Sequence, residues 1–335
     1  MEKILDVRNL KTYFFTRLGV VKAVDDVSFV LHKGECLCLV GESGCGKTTT
    51  ALSILRLVDS PPGRIMAGEI LYRGEDLRCA SAEELRRIRG NRIAMIFQDP
   101  QSSLNPVFTV GNQIAEPLKL HLKLKEKPAL EKSQQLMTQV GIPQAEERRK
   151  DYPHQLSGGM KQRVMIAMAL SCQPEIIIAD EPTAALETTI KAQILDIFVT
   201  LKQSREMSIL FITHDFGTVA GIADRIAVMY GGKVVEAGTK MDIFDHPQHP
   251  YTLGLLGCLP KITGQRGRLT PIPGTIPSLI EPPRGCIFHP RCWQRKPICN
   301  QEIPGEVTIS GEHVVACHLY PESAQKDTTH GEKTA

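Results

Sequence analysis

The feature that most constrains this chain is the segment 41–48, Gly-Glu-Ser-Gly-Cys-Gly-Lys-Thr, which fits the pattern G-x-x-x-x-G-K-[ST]. An apolar run of strand length, 35–40, precedes it, and residues 49–58 follow with helical spacing. In this order of strand, loop and helix, glycines let successive backbone N–H groups converge on phosphate oxygens at a helix N-terminus. The pattern therefore predicts a nucleoside triphosphate site in an α/β fold.

Each residue of this loop is a candidate nucleotide contact. We expect Lys47 to reach the β- and γ-phosphates and Thr48 to offer a hydroxyl to Mg²⁺. The full set of predicted contacts is Gly41, Glu42, Ser43, Gly44, Cys45, Gly46, Lys47, Thr48 and Thr49.

Composition fits a globular chain with a large core. The 335 residues are 42% hydrophobic, and 40 basic against 37 acidic residues give a net charge of +3, so bulk charge gives no reason to expect a nucleic-acid partner. No apolar run approaches the roughly 18 to 20 residues that cross a bilayer, and the first residues do not resemble a secretory signal. We therefore expect a cytoplasmic protein, with room for contact with a membrane protein.

An antiparallel strand pattern occupies residues 4–40 and contains the aromatic cluster Tyr13-Phe14-Phe15. A ring ahead of the phosphate loop could stack on a purine base. Tyr13 is the candidate, because its hydroxyl group favours a partly solvent-exposed position. For Phe14 and Phe15, packing in the core is an equal alternative.

A second chemical signal is the apolar strand that begins at Glu175 and delivers Asp180 and Glu181 to its carboxyl end. Neighbouring strand residues point to opposite faces, so the two carboxylates can have different roles. Asp180 suits a Mg²⁺ shell, and Glu181 suits the polarisation of an attacking water.

Two further polar residues follow predicted strands. Gln98 comes after the strand 93–97, and His214 after the strand 209–213. Open α/β sheets bind ligands at the carboxyl ends of their strands, so Gln98 is placed for a ligand and His214 for a γ-phosphate.

Between these strands, residues 99–165 lose the strand pattern and are predicted to form an inserted helical subdomain. It closes on the segment 154–163, in which Ser157 is a good helix N-cap. Gly158 and Gly159 leave the first N–H groups of that helix open to an anion.

Together these motifs resemble the ATP-binding subunit of ABC transporters. The decisive combination is Leu-Ser-Gly-Gly-Met at 156–160 between the phosphate loop and Ile-Ile-Ile-Ala-Asp-Glu-Pro at 176–182, with Gln98 and His214 in the expected order. The resemblance implies a P-loop NTPase cassette with a RecA-like parallel-sheet core, an antiparallel β subdomain and the helical insertion. It covers residues 1–260; we expect 261–325 to be a C-terminal extension and 326–335 a disordered tail.

The resemblance also implies residue roles. Tyr13 would stack on adenine, Glu181 would be the general base with Lys47 assisting catalysis, and Gln98 and His214 would be switch residues. Thr48, Gln98 and Asp180 would surround Mg²⁺. The family forms a head-to-tail dimer, in which Ser157, Gly158 and Gly159 of one subunit would cap the ATP of the other. At position 187 this chain carries glutamate where the family usually has aspartate.

Further motifs resemble the oligopeptide/dipeptide importer subfamily, which includes nickel importers: Phe-Gln-Asp-Pro at 97–100, Ser-Ser-Leu-Asn-Pro at 102–106 and His-Pro-Tyr-Thr at 249–252. This implies two permease subunits, an extracytoplasmic binding protein, a second and different ATPase subunit, and a peripheral position on the cytoplasmic face of the membrane. The alternative functions are a nickel or metal-chelate importer ATPase and a soluble ABC ATPase that acts on ribosomes or DNA.

Four cysteines crowd into the end of the chain with the spacing C-x5-C-x6-C-x17-C: Cys286, Cys292, Cys299 and Cys317. A shared ligand is a reason to gather thiols in a short, proline-rich segment. The loose spacing favours an iron–sulfur cube over zinc, with free thiols as the third possibility. Similar tails in peptide-importer ATPases are associated with a [4Fe–4S] cluster.

Overall fold

The computed structural model describes residues 2–184, 186–205, 207–259 and 271–320. Two sheets and their helices make up this part of the chain. The strands are β1 Lys3–Thr16, β2 Gly19–His32, β3 Cys36–Val40, β4 Gly63–Tyr72, β5 Glu75–Asp76, β6 Ile93–Ile96, β7 Ile176–Asp180, β8 Ser208–Thr213, β9 Arg225–Tyr230, β10 Lys233–Thr239, β11 Glu306–Ser310 and β12 His313–Ala316. The α-helices are α1 Lys47–Ile54, α2 Ala82–Ile88, α3 Pro100–Ser103, α4 Val110–Leu122, α5 Glu126–Gln139, α6 Ala145–Arg148, α7 Gly158–Leu170, α8 Thr188–Arg205, α9 Phe216–Ile222, α10 Lys240–Asp245 and α11 Pro250–Gly257.

The larger sheet has eight strands in the order β11-β12-β10-β9-β3-β8-β7-β6. Its centre is parallel, since β3 pairs with β8 and β9, and β7 pairs with β6 and β8, all in parallel. Parallel strands place their carboxyl ends at one edge, so the residues that follow β3, β6, β7 and β8 meet there. This confirms the predicted α/β class with a parallel core.

The central strands are apolar throughout because both faces of the sheet are covered. Every residue of β3, β7 and β8 is buried. Alternate residues of β3 enter two different cores: Cys36, Cys38 and Val40 pack with the helices, whereas Leu37 and Leu39 pack with the smaller sheet. A strand covered on both sides shows a continuous apolar run, as the sequence does here.

The smaller sheet is antiparallel, with the order β2-β1-β4-β5. β1 pairs with β2 and with β4 in antiparallel register. The predicted antiparallel pattern of residues 4–40 is confirmed for β1 and β2, but it is wrong for residues 36–40, which form β3 and pair in parallel within the larger sheet.

The stretch predicted as a helical insertion, 99–165, is described in full and contains helices and loops without a strand. Local capping explains where its first and last helices begin. Asp99 caps α3 by accepting from the backbone N–H groups of Gln101 and Ser102, and Ser157 caps α7 by accepting from the N–H of Met160.

The C-terminal hairpin of β11 and β12 extends the larger sheet, because β12 pairs with β10 in antiparallel register. A buried hydrogen bond strengthens this junction: His313 Nε2 lies 2.8 Å from Glu236 Oε1, and both side chains are almost fully buried. The part of the extension that is described thus continues the sheet of the cassette. The predicted tail, 326–335, lies outside the described residues.

Within the described ranges, no helix is both long enough and apolar enough to span a membrane.

Candidate nucleotide site

The segment 41–48 forms a tight loop between β3 and α1, in the predicted order of strand, loop and helix. Gly46 shows why glycine is needed there: its φ is +104°, and a Cβ at this position would lie 2.2 Å from the carbonyl oxygen of Ala23. Lys47 is buried, and its Nζ donates to the carbonyl oxygens of Gly41 at 2.7 Å and Glu42 at 2.9 Å. The loop therefore folds around the lysine ammonium group beside the N-terminus of α1, where an anion is favoured.

The fold brings together two of the predicted magnesium ligands, Thr48 at the start of α1 and Asp180 at the end of β7. Thr48 Oγ1 donates to Asp180 Oδ1 at 3.2 Å, although 132 residues separate them. Asp180 is 1% exposed, and its burial, followed by the nearby Glu181 carboxylate, raises its pKa to about 6. A hydroxyl and a carboxylate in this arrangement are oxygen ligands of the kind that Mg²⁺ prefers.

Glu181 lies at the centre of the predicted catalytic group. Its Oε2 accepts from Gln98 Nε2 at 3.1 Å, and its Oε1 lies 3.0 Å from His214 Nδ1. The backbone of Glu181 has a φ of +45°, which is strained for a residue with a Cβ. Three residues from three strand ends thus meet at one carboxylate, as expected for the carboxyl edge of a parallel sheet.

A cavity of about 440 Å³ opens above the loop. It joins the phosphate loop to the carboxylate of Glu181 and to residues of the antiparallel sheet. Its lining consists of Phe14, Thr16, Val21, Ala23, Ser43, Gly44, Gly46, Lys47, Thr48, Thr49, Pro62, Gln98, Glu181 and Leu279. The cavity can therefore hold a phosphate chain at one end and an apolar group at the other.

The structure places Tyr13, the residue predicted to stack on a base, outside the lining of the cavity. Tyr13 donates from its hydroxyl to Asp25 Oδ1 at 2.7 Å, and Phe14 lines the cavity in its place. Successive strand residues face opposite sides, so only one of the two rings can face the cavity. The alternation is readable from the sequence, but the face that carries the ligand is not.

Ser157, Gly158 and Gly159 are outside the cavity lining, and Ser157 and Gly158 are exposed at the start of α7. The predicted contact of this helix start with the ATP of a second subunit stays a prediction. Glu187, at the departure from the family pattern, is exposed and directly precedes α8.

Sequence reasoning missed two contributions from the C-terminal segment. Leu279 lines the cavity, and Arg291 forms a two-pronged ion pair with Glu42 of the phosphate loop, with Nη1–Oε2 at 2.6 Å and Nη2–Oε1 at 3.1 Å. Leu279 lies more than 200 positions from the phosphate loop in the sequence, and Arg291 lies 249 positions from Glu42. No local signal could have found them.

The four C-terminal cysteines lie near one another. Burial, followed by the nearby thiols of Cys299, Cys317 and Cys292, raises the pKa of Cys286 to about 11. Among the described residues, however, no group of three or more His, Cys, Asp or Glu side chains is arranged to hold a metal ion. Neither the predicted [4Fe–4S] cluster nor the zinc alternative is confirmed.

The fold and the site together define a P-loop nucleotide-binding cassette. Comparison with protein families agrees: residues 24–184 match the ABC transporter model, and residues 235–299 match the C-terminal region of oligopeptide/dipeptide transporters.

Two relatives from Bacillus subtilis cover almost the whole chain. The dipeptide transport ATP-binding protein DppD is 49% identical and the oligopeptide transport ATP-binding protein AppD 48% identical, with 99% and 98% of this chain covered and 99% and 100% of the relatives. The dimeric structure of MJ0796, a bacterial ABC transporter cassette, superposes with a TM-score of 0.63 at 26% identity, covering 70% of this chain and 98% of that one.

The chain belongs to the ABC transporter family of ATP-binding proteins. It is an ATPase of that family, and ATP with Mg²⁺ is the nucleotide typical of such enzymes.

Proposed function

We propose that this chain is the ATP-hydrolysing subunit of an importer of dipeptides or oligopeptides. ATP hydrolysis is supported by the cluster of side chains at the carboxyl edge of the sheet. There Glu181 contacts both Gln98 and His214, beside the Thr48–Asp180 pair. The cargo part is supported by whole-length similarity to two peptide transport ATP-binding proteins.

In the proposed mechanism, Lys47 and the N-terminus of α1 bind the phosphates and hold them along the loop. Glu181 accepts a proton from the attacking water, because its carboxylate is held by Gln98 and His214 at the strand edge. Mg²⁺, bound through Thr48 and Asp180, would neutralise phosphate charge. Gln98 both lines the cavity and contacts Glu181, so it would respond to the state of the bound nucleotide.

Full activity needs partners. We propose that a second ATPase subunit supplies its Ser-Gly-Gly helix start across the ATP, and that two permease subunits and an extracytoplasmic binding protein complete the importer. The exposed positions of Ser157 and Gly158 support the cross-subunit arrangement. The chain would then lie peripherally on the cytoplasmic face of the membrane.

The test is reconstitution of the chain with its permease and binding protein in vesicles, followed by ATP-driven uptake of labelled dipeptides, longer peptides and a nickel chelate. Uptake of peptides supports the proposal. Uptake of the nickel chelate alone would reassign the cargo, and RNA-dependent sedimentation without permease binding would favour the ribosome or DNA function.

The matched variant is Glu181→Gln, which keeps the shape of the side chain but removes the proton acceptor. We expect ATP binding to be retained and hydrolysis to fall by about 100-fold or more. Lys47→Ala provides the contrast, because losing the ammonium group weakens ATP binding itself. Near wild-type turnover of Glu181→Gln in the assembled transporter would remove Glu181 from the base role.

We also propose that Cys286, Cys292, Cys299 and Cys317 bind an iron–sulfur cluster, with structural zinc as the alternative. Burial and the neighbouring thiols raise the pKa values of Cys286, Cys292 and Cys317, and this proximity supports a shared ligand around which the side chains would have to close. Iron, sulfide and zinc analysis of protein prepared without air decides the matter. Finding none of the three would leave free thiols.

A further inference from the structure

The nucleotide cavity has two chemically different ends. The phosphate loop and the carboxylate of Glu181 form the polar end, whereas Phe14, Val21 and Pro62 give the other end apolar walls. The remaining apolar wall is Leu279, which belongs to neither sheet. It comes from the irregular segment 271–280, named here the strap, which precedes the cysteine-rich part of the chain.

One end of the strap is fixed to the antiparallel sheet. The carbonyl oxygen of Leu279 accepts from the backbone N–H of Lys22 on β2 at 3.0 Å. The next residue, Ile280, packs on Gly19 so closely that a Cβ there would lie 2.6 Å from Ile280 Cγ2. The strand that supplies Val21 to the cavity therefore also sets the position of Leu279.

The other end of the strap is tied to the phosphate loop through one side chain. Arg291 Nε donates to the carbonyl oxygen of Pro273 at 2.9 Å, while both terminal nitrogens bind the carboxylate of Glu42. Its side chain is 4% exposed. The strap is thus held at both ends to parts of the nucleotide site, and Leu279, at the end fixed to β2, lines the cavity.

We propose that Leu279 forms a wall of the base subsite, so that the C-terminal segment takes part in recognising the nucleoside of ATP. The two faces of a purine are apolar, and the ring of Phe14 with the side chain of Leu279 offers matching surfaces in one cavity. The phosphates are bound elsewhere, by the loop. This inference rests on the proposed ATP site and adds a residue to its base end.

The experiment compares two ligands on the full chain by calorimetry: Mg-ATP and inorganic tripolyphosphate with Mg²⁺. Leu279→Ala removes the apolar contact, and we expect the Kd for ATP to rise about tenfold, since a few methylene groups are lost from a half-buried contact. The Kd for tripolyphosphate should not change, because that ligand has no base. The matched control is Ile276→Ala, a truncation in the same strap outside the cavity lining, which should leave both ligands unaffected.

The outcomes separate this inference from the function on which it rests. If wild-type protein binds both ligands but Leu279→Ala binds ATP normally, Leu279 does not contact the base and the inference fails alone. If Leu279→Ala weakens both ligands equally, the residue acts through the phosphate loop, and the base subsite is equally refuted. If wild-type protein binds neither ligand, the proposed ATP site itself fails.

Discussion

The ion pair between Arg291 and Glu42 allows a quantitative test of how the C-terminal segment supports the phosphate loop. The two residues are 249 positions apart, and their side chains are 4% and 28% exposed. The hydrogen bonds to Glu42 raise the pKa of Arg291, so the guanidinium group is charged over the whole working pH range. Arg291→Met keeps much of the apolar stem but leaves Glu42 without its cation.

The expected cost follows from burial. Removing one partner of a fully buried pair costs about 3–5 kcal/mol, because an uncompensated charge remains. Glu42 is more than a quarter exposed, so water recovers part of that loss, and we expect the free energy of unfolding to fall by about 2 kcal/mol. The loss of stability in Arg291→Lys should lie between zero and that of Arg291→Met, since an ammonium group cannot make two parallel hydrogen bonds to the carboxylate.

The assay is a double-mutant cycle by urea unfolding with Arg291→Met, Glu42→Gln and the combined variant. A neutral glutamine at position 42 needs no cation. The double variant should therefore lose less free energy of unfolding than the two single variants added together, with a coupling energy of about 1–2 kcal/mol. ATP affinity should fall with Arg291→Met, because the carbonyl of Glu42 also binds Lys47. Strictly additive effects of the two changes would refute the reasoning.

Three further predictions concern single sites. Asp180→Asn should raise the free energy of unfolding of ATP-free protein at pH 7 by about 3 kcal/mol. The reason is that the folded pKa of Asp180, about 6, lies above the unfolded value of 3.8. The stability linked to this carboxyl group is therefore complete below pH 3.8 and is lost as the pH rises through 6. Urea unfolding at pH 4 and pH 7 checks this, and an equal gain at both would contradict it. Phe14→Ala should weaken ATP binding about tenfold in calorimetry, whereas Tyr13→Ala, which removes a ring outside the cavity lining, should not. A loss of affinity in Tyr13→Ala alone would restore Tyr13 as the stacking residue. His313→Ala should cost about 2 kcal/mol in thermal unfolding by removing a partner from a buried carboxylate, and an unchanged melting temperature would show that the hairpin junction adds no stability.

The sequence by itself determined the class of the protein and most of its reactive residues. The phosphate loop, Asp180 and Glu181 are recognisable because each depends on a short pattern: a glycine-rich turn between strand and helix, or carboxylates at the end of an apolar run. The general rule that parallel sheets bind ligands at the carboxyl ends of their strands then places Gln98 and His214 at the same edge. Their meeting at Glu181 agrees with that expectation.

Tertiary structure decided what depends on the choice of face and on long-range packing. Alternation along β1 separates Tyr13 from Phe14, but only the packing of the antiparallel sheet selects Phe14 for the cavity. The hairpin of β11 and β12 joins the main sheet through pairing with β10, which no local pattern encodes. Leu279 and Arg291 reach the nucleotide site because the chain returns to it after more than 200 residues. Such contacts are fixed by the energy of the whole packed structure, whereas a motif is fixed by the local geometry of a few consecutive residues.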